Sequence, residues 1–423
     1  MSTATASEPW DRPAKDARDH PEVASLKLSL LLHGVKLDAS VEARVRREGH
    51  WLTVGTDQRR LELQLPDATI VAPLVVTNSG PDSTWMLLAS DGELLMQRGQ
   101  VRHSVFLVPP PSFYEERTSS GRRLGDFAQV LGDVLVLGGA QACGYSVSGS
   151  ACRFCRVGSR AQSERTFGIT AYEAAEAVTA AARGRRLKYV FLPAASFDAE
   201  DGGVREIEPL VKAVRRHTSA LVLAALHPPR TLRWIDHAYA IGVDGIGFNL
   251  EVPDVAALER FLPGRARYLG RSRYYHALRH AAKIFPRGAV WTELLLGSVP
   301  AQELATFARE FLSWGVIPFL VPVRPDAAIR PTALSFTATA AETESLLQTL
   351  ADGWHSADAR RRWLPNWPHV LGPTDVLGKA RFHRSNGPTP GLVDHLALFA
   401  LRNVSRIRRS LRVRDLAEHD LES

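Results

Sequence analysis

Cys143-Gly-Tyr-Ser-Val-Ser-Gly-Ser-Ala-Cys152-Arg-Phe-Cys155 holds all three cysteines of a 423-residue chain. The stretch follows directly on a short apolar run, Asp133 to Leu137, and so reads as a loop leaving the end of a strand. A chain this poor in cysteine that gathers every one in a single loop uses them on one object, and a metal centre suits three thiols best. Structural zinc and electron-transfer iron–sulfur sites are usually closed by four protein ligands, so three thiolates leave one coordination position open. On the loop alone two other readings stand. The thiols are inert buried groups, or they bind structural zinc with a histidine such as His103 or His227 as the fourth ligand.

Outward from this loop, strand and helix patterns alternate. Thr170 and Glu173 form a capping box at the head of an alanine-rich helix that runs to about Arg183. Strands are expected at Leu187 to Leu192, Ala220 to Leu226, Gly245 to Leu250, Ala289 to Leu296 and Val316 to Val321. The intervening helices are Glu206 to Arg216, Thr231 to Ile241, Val255 to Phe261, Arg273 to Phe285 and Gln302 to Trp314. Six such units, counting the strand before the cysteines, imply a parallel sheet covered by helices. A partial barrel and a doubly wound open sheet both satisfy this periodicity.

Before the loop, Ala24 to Val108 reads as a helical stretch followed by short strands. Alternation at Leu61 to Leu65 and a hairpin turn at Ser90-Asp91-Gly92 carry that reading. Pro109 to Pro111 forms a semi-rigid connector, and a helix is expected between Ser112 and Gly132. Beyond Pro331 come a helix near Ala341 to Ala351, a Trp/Pro-rich segment at Trp363 to Pro368, and a basic helix with Leu396, Phe399, Val404, Ile407 and Leu411 on one face. The whole tail past Pro331 is a candidate cover for the open side of a partial barrel. The expected divisions are a disordered lead-in over 1–22, a small mixed β-rich domain over 23–111, an α/β core over 112–330 and a helical extension over 331–423.

Composition excludes several classes. With 45% hydrophobic and 23% charged residues the chain matches an ordinary globular protein. Met1 to Glu22 lacks the apolar core of a signal peptide, and no apolar run approaches the ~18 residues of a membrane span. The odd cysteine cluster reads as reduced, and a cytoplasmic location follows. The net charge of +7 invites a nucleic-acid reading, but Arg402, Arg406, Arg408, Arg409, Arg412 and Arg414 read as the solvated face of the basic helix. A docking patch for an acidic electron donor fits them at least as well.

The cysteine loop resembles the cluster loop of the radical S-adenosylmethionine (radical SAM) enzymes, whose usual spacing is Cys-x3-Cys-x2-Cys with an aromatic residue before the last cysteine. Here Phe154 is that aromatic, and the first gap is eight residues, which marks a divergent member. The resemblance implies a partial (β/α)6 TIM-like barrel with a [4Fe–4S] cluster on Cys143, Cys152 and Cys155. It also implies S-adenosylmethionine (SAM) contacts, taken residue by residue. Pro193-Ala194-Ala195-Ser196 stands where the family has a Gly-Gly-Glu-like turn for the SAM amino group, and the acidic member is missing. Asn249-Leu250-Glu251 resembles the strand-four ending of biotin-synthase-like members, in which the carboxylate grips the ribose hydroxyls, as a two-oxygen acceptor can. Arg271 or, by preference, Arg273 is the expected partner of the SAM carboxylate, since guanidinium binds bidentately. The other arginines of that stretch, Arg265 among them, are expected on the surface. Leu296-Gly297 resembles the strand-five turn that packs on adenine.

What the resemblance implies for function is reductive cleavage of SAM at the cluster to a 5′-deoxyadenosyl radical, which removes hydrogen from a small-molecule substrate. The electron comes from a donor such as a flavodoxin or ferredoxin. No cysteine remains for an auxiliary cluster or a thiyl donor. Candidate substrate residues at strand ends are His227, Asn249, Glu293 and Arg324. The competing reading is a zinc-stabilised, non-enzymatic binding protein that holds nucleic acid on its arginines.

Overall fold

The computed structural model describes residues 23–49, 60–65, 68–74, 85–90, 92–138, 143–153, 168–184, 187–193, 199–322, 340–356, 363–365, 367–373, 375, 400, 403 and 407. The expected lead-in over 1–22 lies outside them, as do Phe154, Cys155, Ala194, Ala195, Ser196 and Arg324, and nearly all of the basic C-terminal helix.

The N-terminal part begins with helix α1 (Val23–His33), strand β1 (Val35–Leu37) and helix α2 (Ala39–Glu48). Asp38 caps α2, its carboxylate accepting from the Val41 N–H at 2.8 Å. Strands β2 (Arg60–Leu65), β3 (Ala68–Pro73), β4 (Trp85–Ser90), β5 (Glu93–Arg98) and β6 (Val101–Leu107) follow. The hairpin expected around Gly92 joins β4 to β5, with Ser90 opposite Glu93. The sheet order is β1-β4-β5-β6-β2-β3, and a parallel bridge between Val35 and Leu74 brings its two ends together. The β-rich unit is therefore a small sheet closed on itself, which removes its exposed edges. Leu30, Val35, Val45, Leu61, Leu63, Leu87 and Met96 fill it as a core separate from that of the rest of the molecule.

Between Ser112 and Gly132 the structure departs from expectation. Two 3₁₀ turns lead into strand β7 (Ala128–Leu131), which pairs antiparallel with β8 (Val134–Leu137). The turn needs Gly132, at φ 62°, and its presence between two apolar quartets is a hairpin signal that a helical pattern does not explain.

From β8 the strand–helix units follow almost as read. Short helix α3 (Gly144–Val147) lies in the cysteine loop; α4 (Ala171–Gly184) begins at the capping box, where the Glu173 carboxylate accepts from the Thr170 N–H at 2.8 Å and the Thr170 hydroxyl accepts from the Glu173 N–H at 3.2 Å. Then come β9 (Tyr189–Pro193), α5 (Val204–His217), β10 (Leu221–Ala225), α6 (Arg233–Ile241) and β11 (Gly245–Gly247). Three helices follow, α7 (Val255–Phe261), α8 (Pro263–Tyr268) and α9 (Gly270–Ile284), and then β12 (Val290–Leu295), α10 (Ala301–Ser313), β13 (Val316–Val321) and α11 (Ala340–Ser356).

The second sheet runs β7-β8-β9-β10-β11-β12-β13, with β8 through β13 all parallel and in chain order. Sequential order means every right-handed crossover runs the same way, so the helices cover one face and the sheet curls around the other. A doubly wound sheet would reverse direction partway. This is the partial (β/α)6 barrel.

Its inner face is identifiable from contacts that jump strands. Phe191 on β9 and Trp291 on β12, three strands apart in the sheet order, bring their ring centroids within 6.4 Å. Side chains can meet in that way only across the lumen. Gly247 makes room for the Trp291 ring, since a Cβ there would lie 2.2 Å from it. Trp367 then packs edge-on against Phe191 at 5.0 Å, Leu364 lies against Gly245 and accepts from the Tyr189 hydroxyl through its carbonyl, and Leu371 bridges Leu320 of β13. The Trp/Pro-rich segment thus closes the lumen along the strand beginnings and continues the sheet beyond β13. It is tied to the N-terminal part as well: the Val71 N–H donates to Pro368 O at 3.1 Å, and Lys27 of α1 donates to Trp367 O and pairs with Asp375 at 2.9 Å.

Candidate active site

In a parallel barrel the loops after the strands carry function, and the cysteine loop is the one after β8. Cys143 heads α3, its carbonyl accepting from the Ser146 and Val147 N–H groups. Cys152 is buried, at 8% exposure, while Cys143 is partly exposed. The loop is pinned from below by α7 and α8: the Arg153 N–H donates to Phe261 O at 2.9 Å, and the Gly264 N–H donates to Ser150 O at 3.1 Å. Gly264 is required there, because a Cβ would sit 2.6 Å from both Ser150 O and the Tyr145 ring. Tyr145 stands between His227, after β10, and Tyr268 of α8, each ring 6.1 Å away. His103, in contrast, lies on β6 against Trp85. Among the described residues no three His, Cys, Asp or Glu side chains gather as a metal site.

Beside the loop, β11 leaves its ladder after Gly247. The Thr292 hydroxyl bridges the gap, donating to Phe248 O and accepting from the Leu250 N–H. Pairing resumes at Glu251, whose N–H donates to Glu293 O and whose carbonyl accepts from the Leu295 N–H, both at 2.8 Å. Among the described non-glycine residues, Glu251 alone has a positive φ, 65°. Such a conformation costs on the order of 1 kcal/mol and is held here by hydrogen bonds on both sides. The excursion aims the carboxylate at Arg265, 3.0 Å away, and Arg265 also donates to Asn249 O at 2.7 Å.

Arg265 is the main correction to the sequence reading. Set among the surface charges, it is instead only 13% exposed in its side chain, paired with a Glu251 side chain that is 12% exposed. The overlooked signal was Pro263, a residue favoured at the first position of a helix. It starts α8, a helix the pattern of charges obscured, and α8 carries Arg265 inward. Arg271 and Arg273 lie in the first turn of α9, not before the helix. Arg271 donates to Pro253 O and stacks on Tyr275, and Arg273 donates to Pro229 O and Tyr268 O.

Electrostatics follow from burial. Desolvation raises the Glu251 carboxyl, and the Arg265 charge offsets that only in part. Burial works against the Arg265 charge, but Glu251, Tyr274, Cys152 and Tyr145 together more than offset it, so Arg265 keeps its proton firmly. Tyr274 of α9, fully buried beside the pair, has its hydroxyl pushed up to about 12 by burial. Cys152 is close enough to act electrostatically on both Arg265 and Tyr274. Glu293 is pushed up to about 7, first by burial and then by the Glu251 charge, with an Asn249 hydrogen bond opposing.

The cluster also contains buried acceptors without a hydrogen-bonding partner: Glu251 Oε2 and Asn249 Oδ1. Unsatisfied buried acceptors are costly, and both belong to residues that Arg265 contacts. A donor-rich group fits them, and a thiolate-bound metal fits Cys143 and Cys152. Leu296 and Gly297 line a separate cavity of about 260 Å³ with Arg260, Ser298, Leu304 and Thr343.

No protein-family model matches the sequence, and no curated protein matches it. Solved structures do. HydG from Carboxydothermus hydrogenoformans, a FeFe-hydrogenase maturase, aligns at 12% identity and a TM-score of 0.42, over 53% of this chain and 51% of that one. A radical SAM methyltransferase from Sphaerobacter thermophilus aligns at 15% identity and a TM-score of 0.40, over 75% and 79% of the two chains. Methylornithine synthase (PylB) aligns at 14% identity and a TM-score of 0.38, over 51% and 65%. This chain spans about half the length of the HydG structures it matches. Identities and scores of this size carry no chemistry over to this chain.

Proposed function

We propose that this chain is a radical SAM enzyme, in which Cys143, Cys152 and Cys155 hold a [4Fe–4S] cluster and SAM binds beside it. The observation that carries the reading is a buried Cys152 within electrostatic reach of Arg265, which pairs with Glu251, at the mouth of a sequentially ordered parallel barrel. Nothing in a purely structural thiol asks for a strained, buried carboxylate with an unfilled oxygen in the same region. When bound, the cluster and SAM supply one-electron reductive cleavage of the sulfonium carbon–sulfur bond and the hydrogen-atom abstraction that follows.

The chain's own residues bind and orient. Three thiolates leave one iron position free for the amino and carboxylate groups of SAM. Glu251 has one oxygen committed to Arg265 and the other open, so it offers a single acceptor to the ribose hydroxyls. Arg265 is ion-paired with Glu251, and the SAM carboxylate is assigned to Arg273, which donates to the backbone carbonyls of Pro229 and Tyr268. Ala194, Ala195 and Ser196 are assigned to the SAM amino group, and Leu296 and Gly297, which line the separate cavity, are left without a role in holding adenine. Tyr145, Tyr268 and the lumen aromatics exclude water from the site. The substrate is a small molecule, and the electron donor an acidic protein such as a flavodoxin or ferredoxin.

Anaerobic reconstitution tests this directly, with about four irons per chain and a brown absorbance expected. Cys152→Ala should lose the cluster and, with it, dithionite-dependent formation of 5′-deoxyadenosine. Stoichiometric zinc without iron uptake, or activity retained in the variant, overturns the reading.

A further inference from the structure

Glu293 is the buried ionisable group that the proposed chemistry leaves unused. It lies two residues beyond Trp291 on β12, and side chains alternate along a strand, so both face the lumen. Trp291 is 1% exposed with Phe191 against its ring, and Trp367 packs in turn on Phe191, so this chain of aromatic rings closes the lumen at that level. Glu293 is partly open. Asn249 reaches the same level from β11, since Gly247 and Asn249 share a face and Gly247 abuts Trp291. A ligand entering from the strand ends therefore meets Glu293 and Asn249 as the first polar groups above a closed aromatic floor.

The charges at this level do not balance. Two carboxyls, Glu251 and Glu293, share one guanidinium, and Arg265 spends its contact on Glu251. Among the described residues Glu293 has the Asn249 amide as its hydrogen-bonding neighbour and no cation in ion-pair contact. The Asn249 side chain uses its N–H on Glu293, which leaves Asn249 Oδ1 buried and unfilled, and that atom is an acceptor too. A mostly buried carboxyl without a counter-ion is costly, and the unfilled Asn249 Oδ1 and Glu251 Oε2 call for donors, while Arg265 Nε and the Tyr274 hydroxyl are unfilled beside them. The upward displacement of the Glu293 carboxyl to about 7 is the electrostatic trace of the same missing partner.

We propose that Glu293 is a specificity-determining residue that receives a protonated amine, the innermost group of the substrate, at the floor of the barrel lumen. Asn249 Oδ1 accepts a second N–H from the same ammonium. The assignment rests on the radical SAM reading for the word substrate, and on the lumen geometry alone for the ammonium site. A neutral or anionic group of the same size would leave the carboxyl without a counter-ion and is rejected.

The test uses the full chain with n-butylammonium as the probe and n-butanol as its neutral counterpart. Binding is followed by quenching of tryptophan fluorescence and by thermal shift, in the wild type and in Glu293→Gln. The expected result is saturable binding of n-butylammonium, weakened at least tenfold in Glu293→Gln, with n-butanol bound no better by either protein. Equal affinity of the two proteins for the ammonium, or equal affinity of the wild type for ammonium and alcohol, overturns the proposal. Asn249→Asp supplies a second measurement, since an added carboxylate at that level should tighten ammonium binding, and weaker binding there also counts against the site. Iron content is measured separately: a chain that binds ammonium but no iron would end the radical SAM reading and leave the ammonium site standing.

Discussion

Gly247→Ala probes how tightly the barrel lumen is built. Glycine within a strand normally costs about 0.5–1 kcal/mol relative to alanine, so with no obstacle the substitution should stabilise. Here the new Cβ would lie 2.2, 2.4 and 2.6 Å from Cε2, Nε1 and Cζ2 of Trp291. Those separations are more than 1 Å inside ordinary contact, and Trp291 is 1% exposed with Phe191 against its ring, so the indole has nowhere to swing. Overpacking of this kind costs about 1–3 kcal/mol, and the closed surroundings put the expected loss near 3 kcal/mol. Trp291→Ala alone should cost about 3–5 kcal/mol through the cavity it opens. In that background the alanine methyl enters vacated space, so Gly247→Ala should cost less than about 0.5 kcal/mol or be mildly favourable, a coupling near 3 kcal/mol. Urea unfolding of the four proteins, followed by far-UV circular dichroism because tryptophan itself is altered, measures the cycle. Additive effects of the two substitutions would refute the packing of the Trp291 ring over Gly247 on the neighbouring strand.

Two further substitutions address the site. Gly264→Ala drives a Cβ to 2.6 Å from Ser150 O; a backbone carbonyl cannot step aside, so the cysteine loop should lift from α8, with a stability loss of about 1–3 kcal/mol and a several-fold drop in iron retained after desalting. Full iron retention and unchanged stability would show that the loop does not depend on that contact. Stability should also fall as pH rises through 7 because of Glu293. Burial pushes it up to about 7, above the ordinary glutamate value of 4.5, so the native state holds a proton that the unfolded chain has lost. The contribution is fully present below about 4.5 and is lost as pH passes 7, amounting to at most about 3 kcal/mol. Glu293→Gln should flatten this part of the stability profile and be the more stable protein at pH 8; a wild-type profile flat from pH 5 to 8 would contradict the burial of that carboxyl.

Local signals were legible wherever the physics is local. The capping box at Thr170 and Glu173 reads directly from the chain because both partners lie within one turn. The strand Val316–Val321 has the bounds its apolar run predicts. Distant partners were not legible. Residues 128–131 form a strand only because β8 lies opposite, and Gly132 was the one local clue. Arg265 looks like one more surface charge in a basic stretch until α8 turns it toward Glu251. Sheet order, which separates a curled barrel from a doubly wound sheet, is a property of strand neighbours that no hydrophobic period records. The destination of the Trp363 to Pro368 segment, inside the lumen and against Val71, is likewise set by contacts hundreds of residues away.

That segment bears on the order of events as the chain is made. The strand–helix units emerge from the ribosome before residues 363–375 do. Until those residues arrive, Phe191 has no Trp367 packed against it, and Lys27 waits for Asp375, 348 positions later. Closing so long a loop adds little entropy beyond what a shorter one costs, since the penalty grows only with the logarithm of length. The constraint is one of timing. The barrel can assemble its walls during synthesis but receives its floor only once residues 363–375 have emerged, so a shorter nascent chain presents an open aromatic lumen.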